Sequence, residues 1–240
     1  MNSEIARIVV LGIAGVCFAV WLVGVVVVWR TYSGSPQDDL LDSGEPFETG
    51  SKSPHSWVSG TATVDGEPED VIHKATNILA TNATWFGPTK IVEQTERTLR
   101  FLGTGHPMGT STVSGRSRGP SMRRGMFRAR SAGHETSQID YDLETPGLRL
   151  FLVLAVICQV VGFLVLVGLT ITLYYLAAES FHPAIRTQSI QMIHVGHFLW
   201  PPFLLVWFYR RFRNGVRDRC EAFLHNLSFA TGESSARSHP

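Results

Sequence analysis

His194 and His197 stand three residues apart in the run Ile193-His194-Val195-Gly196-His197-Phe198, and a helix brings such a pair to one face. Imidazoles ligate metals and haem or relay protons, and an ionisable group within an apolar run is a functional candidate by default. Ligation needs partners. The other two apolar runs, residues 8–29 and 150–178, hold no His, Asp or Glu. A proton path needs a file of polar groups, and only Gln159, Thr170, Thr172 and Gln191 are at hand. The sequence best supports a structural role, with the histidines reaching the outer interface or hydrogen-bonding to Gln159 or a carbonyl on a neighbouring helix. Haem or metal at His194 and His197, in a small redox or transport subunit, is the alternative. No catalytic residue, cofactor or metal site is assigned.

The elements that position this pair are read from charge. Residues 8–29, 150–178 and 190–209 contain no Asp, Glu, Lys or Arg, in a chain of 240 residues that is 17% charged. A hydrocarbon slab of about 30 Å takes about 20 helical residues, and a helix satisfies its own backbone where water is absent. Three transmembrane helices are therefore expected. The first is read as an anchor, not a cleaved leader: its apolar run is long, and Trp29-Arg30-Thr31-Tyr32 lacks a small-x-small cleavage pattern. Pro201 and Pro202 remove two backbone donors within the third run and predict a kink there.

Orientation follows from the cations beside the runs. Arg210, Arg211, Arg213, Arg217 and Arg219 follow the third run, whereas residues 179–189 between the second and third carry only Arg186. The C-terminus and residues 31–148 are thus expected in the cytoplasm and the N-terminus outside, in a plasma or inner membrane. The glycosylation patterns at Asn82 and Asn226 would then never meet the modifying machinery.

Between the first two runs, residues 30–55 read as a flexible acidic linker after a short N-terminal tail, 1–7. Residues 56–145 read as an α+β domain of order β-α-β-β-β-β, an antiparallel sheet with one covering helix. Alternation marks Trp57 to Val64 as a strand; Val71, Ile72, Ala75, Ile78 and Leu79 form a helical stripe. Two hairpins follow, one around residues 94–97 and one around 132–135. Asp140, Asp142 and Glu144 alternate onto one strand face as solvent-facing acids.

Residues 103–124 are rich in Gly and Arg and read as a loop, with Arg116, Arg118, Arg123 and Arg124 as its basic residues. They could press on anionic lipid or neutralise the acidic linker. With few aromatics interleaved and a formal net charge of +1, nucleic acid is the weaker partner. No Gly-x-Gly-x-x-Gly or phosphate-loop pattern is present.

Phe212, Val216, Cys220, Phe223 and Leu227 recur at three- and four-residue steps. Residues 210–228 are accordingly an amphipathic helix, lying among headgroups with its arginines on anionic lipid or packing on the domain. Residues 229–240 are read as a disordered tail, and Cys220 as a weak acylation candidate. The expectation is a membrane-anchored, non-enzymatic protein whose partners are the bilayer, anionic lipid or another membrane protein, with the α+β domain as its interaction module.

Overall fold

The computed structural model describes residues 3–33, 54–81, 85–103, 122–133, 135–178 and 199–236. Their elements are α1 (Ser3–Ser33), a 3-10 turn (Pro54–Ser56), β1 (Trp57–Asp65), α2 (Pro68–Thr81), β2 (Thr89–Gln94), β3 (Thr98–Gly103), β4 (Arg124–Gly133), β5 (Thr136–Glu144), α3 (Pro146–Ala178) and α4 (Pro201–Ala236). The chain divides into two compact units. Residues 1–34 and 150–209 form one; residues 35–149 and 210–240 form the other.

In the first unit, α1 and α3 are long and apolar enough to cross a membrane, over Arg7–Ser33 and Pro146–Tyr175. They lie antiparallel: Val10 and Ala14 pack with Leu173, whereas Val28 packs with Ala155. The Arg7 guanidinium sits 5.3 Å over the Tyr174 ring at one end. Trp21 Nε1 donates to the Gln159 carbonyl at 3.0 Å, and Gln159 Nε2 donates to the Trp21 carbonyl at 2.7 Å. Gly24 opens space for that amide, because a methyl there would come 3.0 Å from Gln159 Nε2. The segment from Leu199 follows α1 in direction, Leu199 packing with Leu166 beside Cys17 and Trp21, and Val206 with Val28 and Ala155.

Leu199 is helical, Trp200 interrupts the helix, and Pro201 and Pro202 come next. They open α4, where their missing donors cost nothing, and the Trp200 carbonyl accepts from Phe203 N at 3.0 Å and Leu204 N at 3.3 Å.

The second unit is built on an antiparallel sheet of five strands in the order β1-β5-β4-β3-β2, so the first strand closes against the last. Register puts Val58 opposite Leu143, Ala62 opposite Ile139, Phe127 opposite Tyr141 and Leu99 opposite Phe127. Period-two alternation turns these side chains to one face. That face is buried, with Leu99, Phe101, Phe127, Ile139, Tyr141 and Leu143 all at 2% exposure or less.

α2 covers part of it with Val71, Ile72, Ala75 and Leu79. Its entry is fixed by Gly66, whose φ of 124° suits glycine, whose N–H donates to Glu135 O at 2.7 Å and whose carbonyl accepts from Ser137 Oγ at 2.6 Å. Acids Glu69 and Asp70 lie in its first turn, at the positive end of the helix dipole.

The expectation of one covering helix is corrected here. The distal part of α4 lies on the same face, with Val216, Cys220, Phe223, Leu224 and Leu227 buried and the Phe223 ring stacked 5.8 Å from Phe127. Residues 210–228 are thus no separate element but the continuation of α4, and their apolar stripe is covered by sheet. The same amphipathic pattern serves either solvent, and aromatic partners on the sheet decide between them.

Candidate functional site

The second unit holds three groupings of polar side chains. The first is the seam between α4 and the sheet. Phe86, Phe101, Phe127 and Phe223 fill it with ring centroids 5.2 to 6.3 Å apart, and Trp85 meets Phe223 edge-on at 5.7 Å. Beside the rings, the Tyr141 hydroxyl faces Glu221 Oε1 at 3.5 Å, and Arg217 Nη2 donates to the Ser59 carbonyl at 3.2 Å. Gly60 leaves room for the Tyr141 hydroxyl, and Gly125 for the Phe101 ring.

Burial pushes the Tyr141 phenol well above its usual range, with Cys220 and Glu221 adding and Arg217 opposing. Burial likewise raises the Cys220 thiol, helped by Glu221. Both groups are held protonated and covered. The seam is therefore adhesive and not reactive, and the fully buried Cys220 sulfur is out of reach of an acyl donor.

The second grouping is the opposite face of the sheet. Arg124, Arg128 and Arg130 on β4 stand across from Glu144, Asp140 and Gln138 on β5. Glu144 lies 3.9 Å from Arg123 and 3.7 Å from Arg124, and Asp140 lies 3.2 Å from Arg130. Glu93 and Arg100 close a further pair at 2.8 Å. Burial raises the Asp140 carboxyl, against the pull of Arg130 and Arg128 and with a push from Asp142. This is a cross-strand ladder that neutralises itself. Arg123 and Arg124 border it: Arg124 begins β4, one residue earlier than the strand expected there, and Arg123 stands in the bend just before it. Asp140 and Glu144 are half-buried partners of arginine, and Asp142 between them is half-buried as well.

The third grouping lies where the chain enters and leaves the apolar helices. His55 is buried in the 3-10 turn, whose Ser56 carbonyl accepts from Thr145 N at 2.7 Å and Thr145 Oγ1 at 3.3 Å. Thr145 precedes α3, and its carbonyl in turn accepts from Leu148 N at 3.0 Å. Burial lowers the His55 pKa first, and the nearby guanidiniums of Arg213 and then Arg149 lower it further. The imidazole is thus held neutral among cations.

Of the residues singled out from sequence, His194, His197, Gln191, Arg116 and Arg118 lie outside the described residues. Gln159 is engaged by Trp21. Arg217 reaches the sheet, and Arg210, Arg211 and Arg219 lie along α4, the first two exposed. His55 and Arg149 were missed: each looked isolated in sequence, and only the bonds between Ser56 and Thr145 bring their segments together. Among the described residues, no three His, Cys, Asp or Glu side chains gather to hold a metal ion. No protein-family model matches the chain, and no curated protein or solved structure matches it.

Proposed function

We propose that this chain is a three-span integral membrane protein, without enzymatic activity, that holds its α+β unit at the cytoplasmic face as a binding module. The observation that carries the reading is the polarity of the helical unit. Because α1 and α3 are antiparallel and α4 follows α1, the chain crosses between units at residues 34/35, 149/150 and 209/210, and all three points fall at the same end of the helices.

That end bears Arg30, Arg149, Arg210, Arg211 and Arg213. The other bears Arg7, with Arg186 in the connection after α3. Cations near span ends are retained in the cytoplasm, which supports a cytoplasmic domain and an external N-terminus. Leu199 packs midway along the α1–α3 pair and Val206 near its end. Residues 199–209 are therefore half a crossing, which supports a third span starting near residue 190. A two-faced unit whose titratable seam groups are buried and protonated supports binding over catalysis.

Reporter fusions after residues 2, 120 and 240 test the topology. The reading expects the last two in the cytoplasm and the first outside; a periplasmic or extracellular signal at residue 120 overturns it. Affinity capture of the detergent-solubilised chain tests the module, and the absence of any specific protein or lipid would remove its support.

A further inference from the structure

The exposed Trp and Tyr side chains of α1 and α3 fall at two levels of the helical unit. At one end Trp29 closes the apolar run of α1, and Tyr32 follows about a turn further on. Val206 of α4 packs with Val28 and Ala155, which brings Trp207 to the same level. At the other end Arg7 lies 5.3 Å over the Tyr174 ring, and Tyr175 stands edge-on to Tyr174 with ring centroids 6.2 Å apart. Trp29, Tyr32, Trp207 and Tyr175 are each more than half exposed, so these rings point out from the packed helices.

From Arg7 to Trp29 is 22 residues along α1, which is about 33 Å at about 1.5 Å per helical residue. Between those levels every exposed side chain of α1 larger than alanine is Val, Leu, Ile or Phe. A hydrocarbon layer is about 30 Å deep. An indole or phenol, apolar in its body and polar at its tip, is most stable where that layer meets the headgroups.

We propose that these rings form two lipid-contacting belts, Trp29, Tyr32 and Trp207 in one headgroup layer and Tyr174 and Tyr175 in the other, and that the wall between them faces acyl chains. The inference rests on the membrane reading given above and adds the depth at which the helices sit. Trp200 marks the middle: Leu199 packs with Leu166 beside Cys17 and Trp21, so the exposed Trp200 comes halfway between the belts.

The test uses the full-length chain in dioleoylphosphatidylcholine vesicles that carry a nitroxide-labelled lipid, with the nitroxide near the headgroup in one set and near the acyl terminus in the other. Trp29→Phe, Trp207→Phe and Trp200→Phe are made singly, and the emission that each removes gives the depth of the missing indole. Trp29 and Trp207 should read about 15 Å from the bilayer centre, half the hydrocarbon depth, and be quenched mainly by the shallow nitroxide. Trp200 should read near the centre and be quenched mainly by the deep one.

One common depth for the three, or the reverse order, overturns the belts. If the chain floats with the vesicles and neither nitroxide quenches these indoles, protein covers the wall, a second copy or another partner, and the lipid contact is overturned. Where a Phe variant loses its melting transition, the Tyr variant at that position removes the same indole and decides. A chain that does not float with the vesicles refutes the membrane reading itself; one that floats with the wrong depths refutes only the belts.

Discussion

Trp21 and Gln159 hydrogen-bond each other twice, indole to carbonyl at 3.0 Å and amide to carbonyl at 2.7 Å, across two helices that are otherwise almost wholly apolar. Each side chain finds its acceptor on the partner's backbone, so the pair fixes the rotation and the height of α1 against α3 at once. Apolar contacts alone leave both softer, because they carry no directional bond.

Gln159→Leu should therefore cost about 1 kcal/mol of helix association, read as a lower midpoint in detergent denaturation followed by Trp fluorescence. Gly24→Ala should show a loss of similar size, because its new methyl displaces the same amide. If the glycine variant matches wild type, the amide has another position of equal energy.

Phe223 is fully buried and touches two other phenylalanine rings and an indole. Phe223→Ala should cost about 3–5 kcal/mol, enough to unfold a unit of this size, and the loss is expected as early proteolysis within residues 57–144 of the full-length chain. Gly125→Ala should fail in the same assay through the Phe101 ring.

The His55 pKa is lowered in the folded chain from its ordinary value of 6.5. The folded state then binds fewer protons than the unfolded one below that pH, so stability present above about pH 6.5 is lost as pH falls toward the folded pKa. Melting temperature between pH 8 and pH 5 checks this (about 6.5 being the onset): His55→Asn should flatten that part of the profile. The Asp140 carboxyl is raised and carries the opposite sign, so its contribution is full below its unfolded value of 3.8 and fades as pH rises through the folded value. Asp140→Asn should remove that acid-side gain.

Cys220 is fully buried against the sheet and its thiol is held protonated. In a chain carrying Cys17→Ser and Cys158→Ser, a maleimide should label it only at the rate at which α4 leaves the sheet. Rapid labelling of folded protein would mean that α4 lies elsewhere.

The α+β class and the antiparallel sheet were legible because strands and α2 announce themselves by periods of two and of three to four. The two long apolar helices were legible because a charge-free stretch leaves few alternatives. What eluded sequence reasoning was whatever depends on distant partners. Nothing in the spacing of Trp21 and Gln159, 138 positions apart, marks them as a pair. The stripe Val216, Cys220, Phe223 and Leu227 looks the same whether lipid or Phe127 covers it. Arg124 borders a Gly-rich run and resembled loop, until Glu144 across the strands gave it a place in the ladder. His55 seemed scattered because its neighbours arrive from α3 and α4.

α4 also dictates an order of assembly. Strands β1 to β5 are complete once residue 144 has been made, yet the face bearing Phe127 and Tyr141 waits for Phe223 and Leu224. During synthesis that oily surface stays uncovered until α3, and α4 as far as Leu224, have been made. A ribosome stalled before residue 223 would present a half-clad sheet, the kind of surface that chaperones hold and proteases remove.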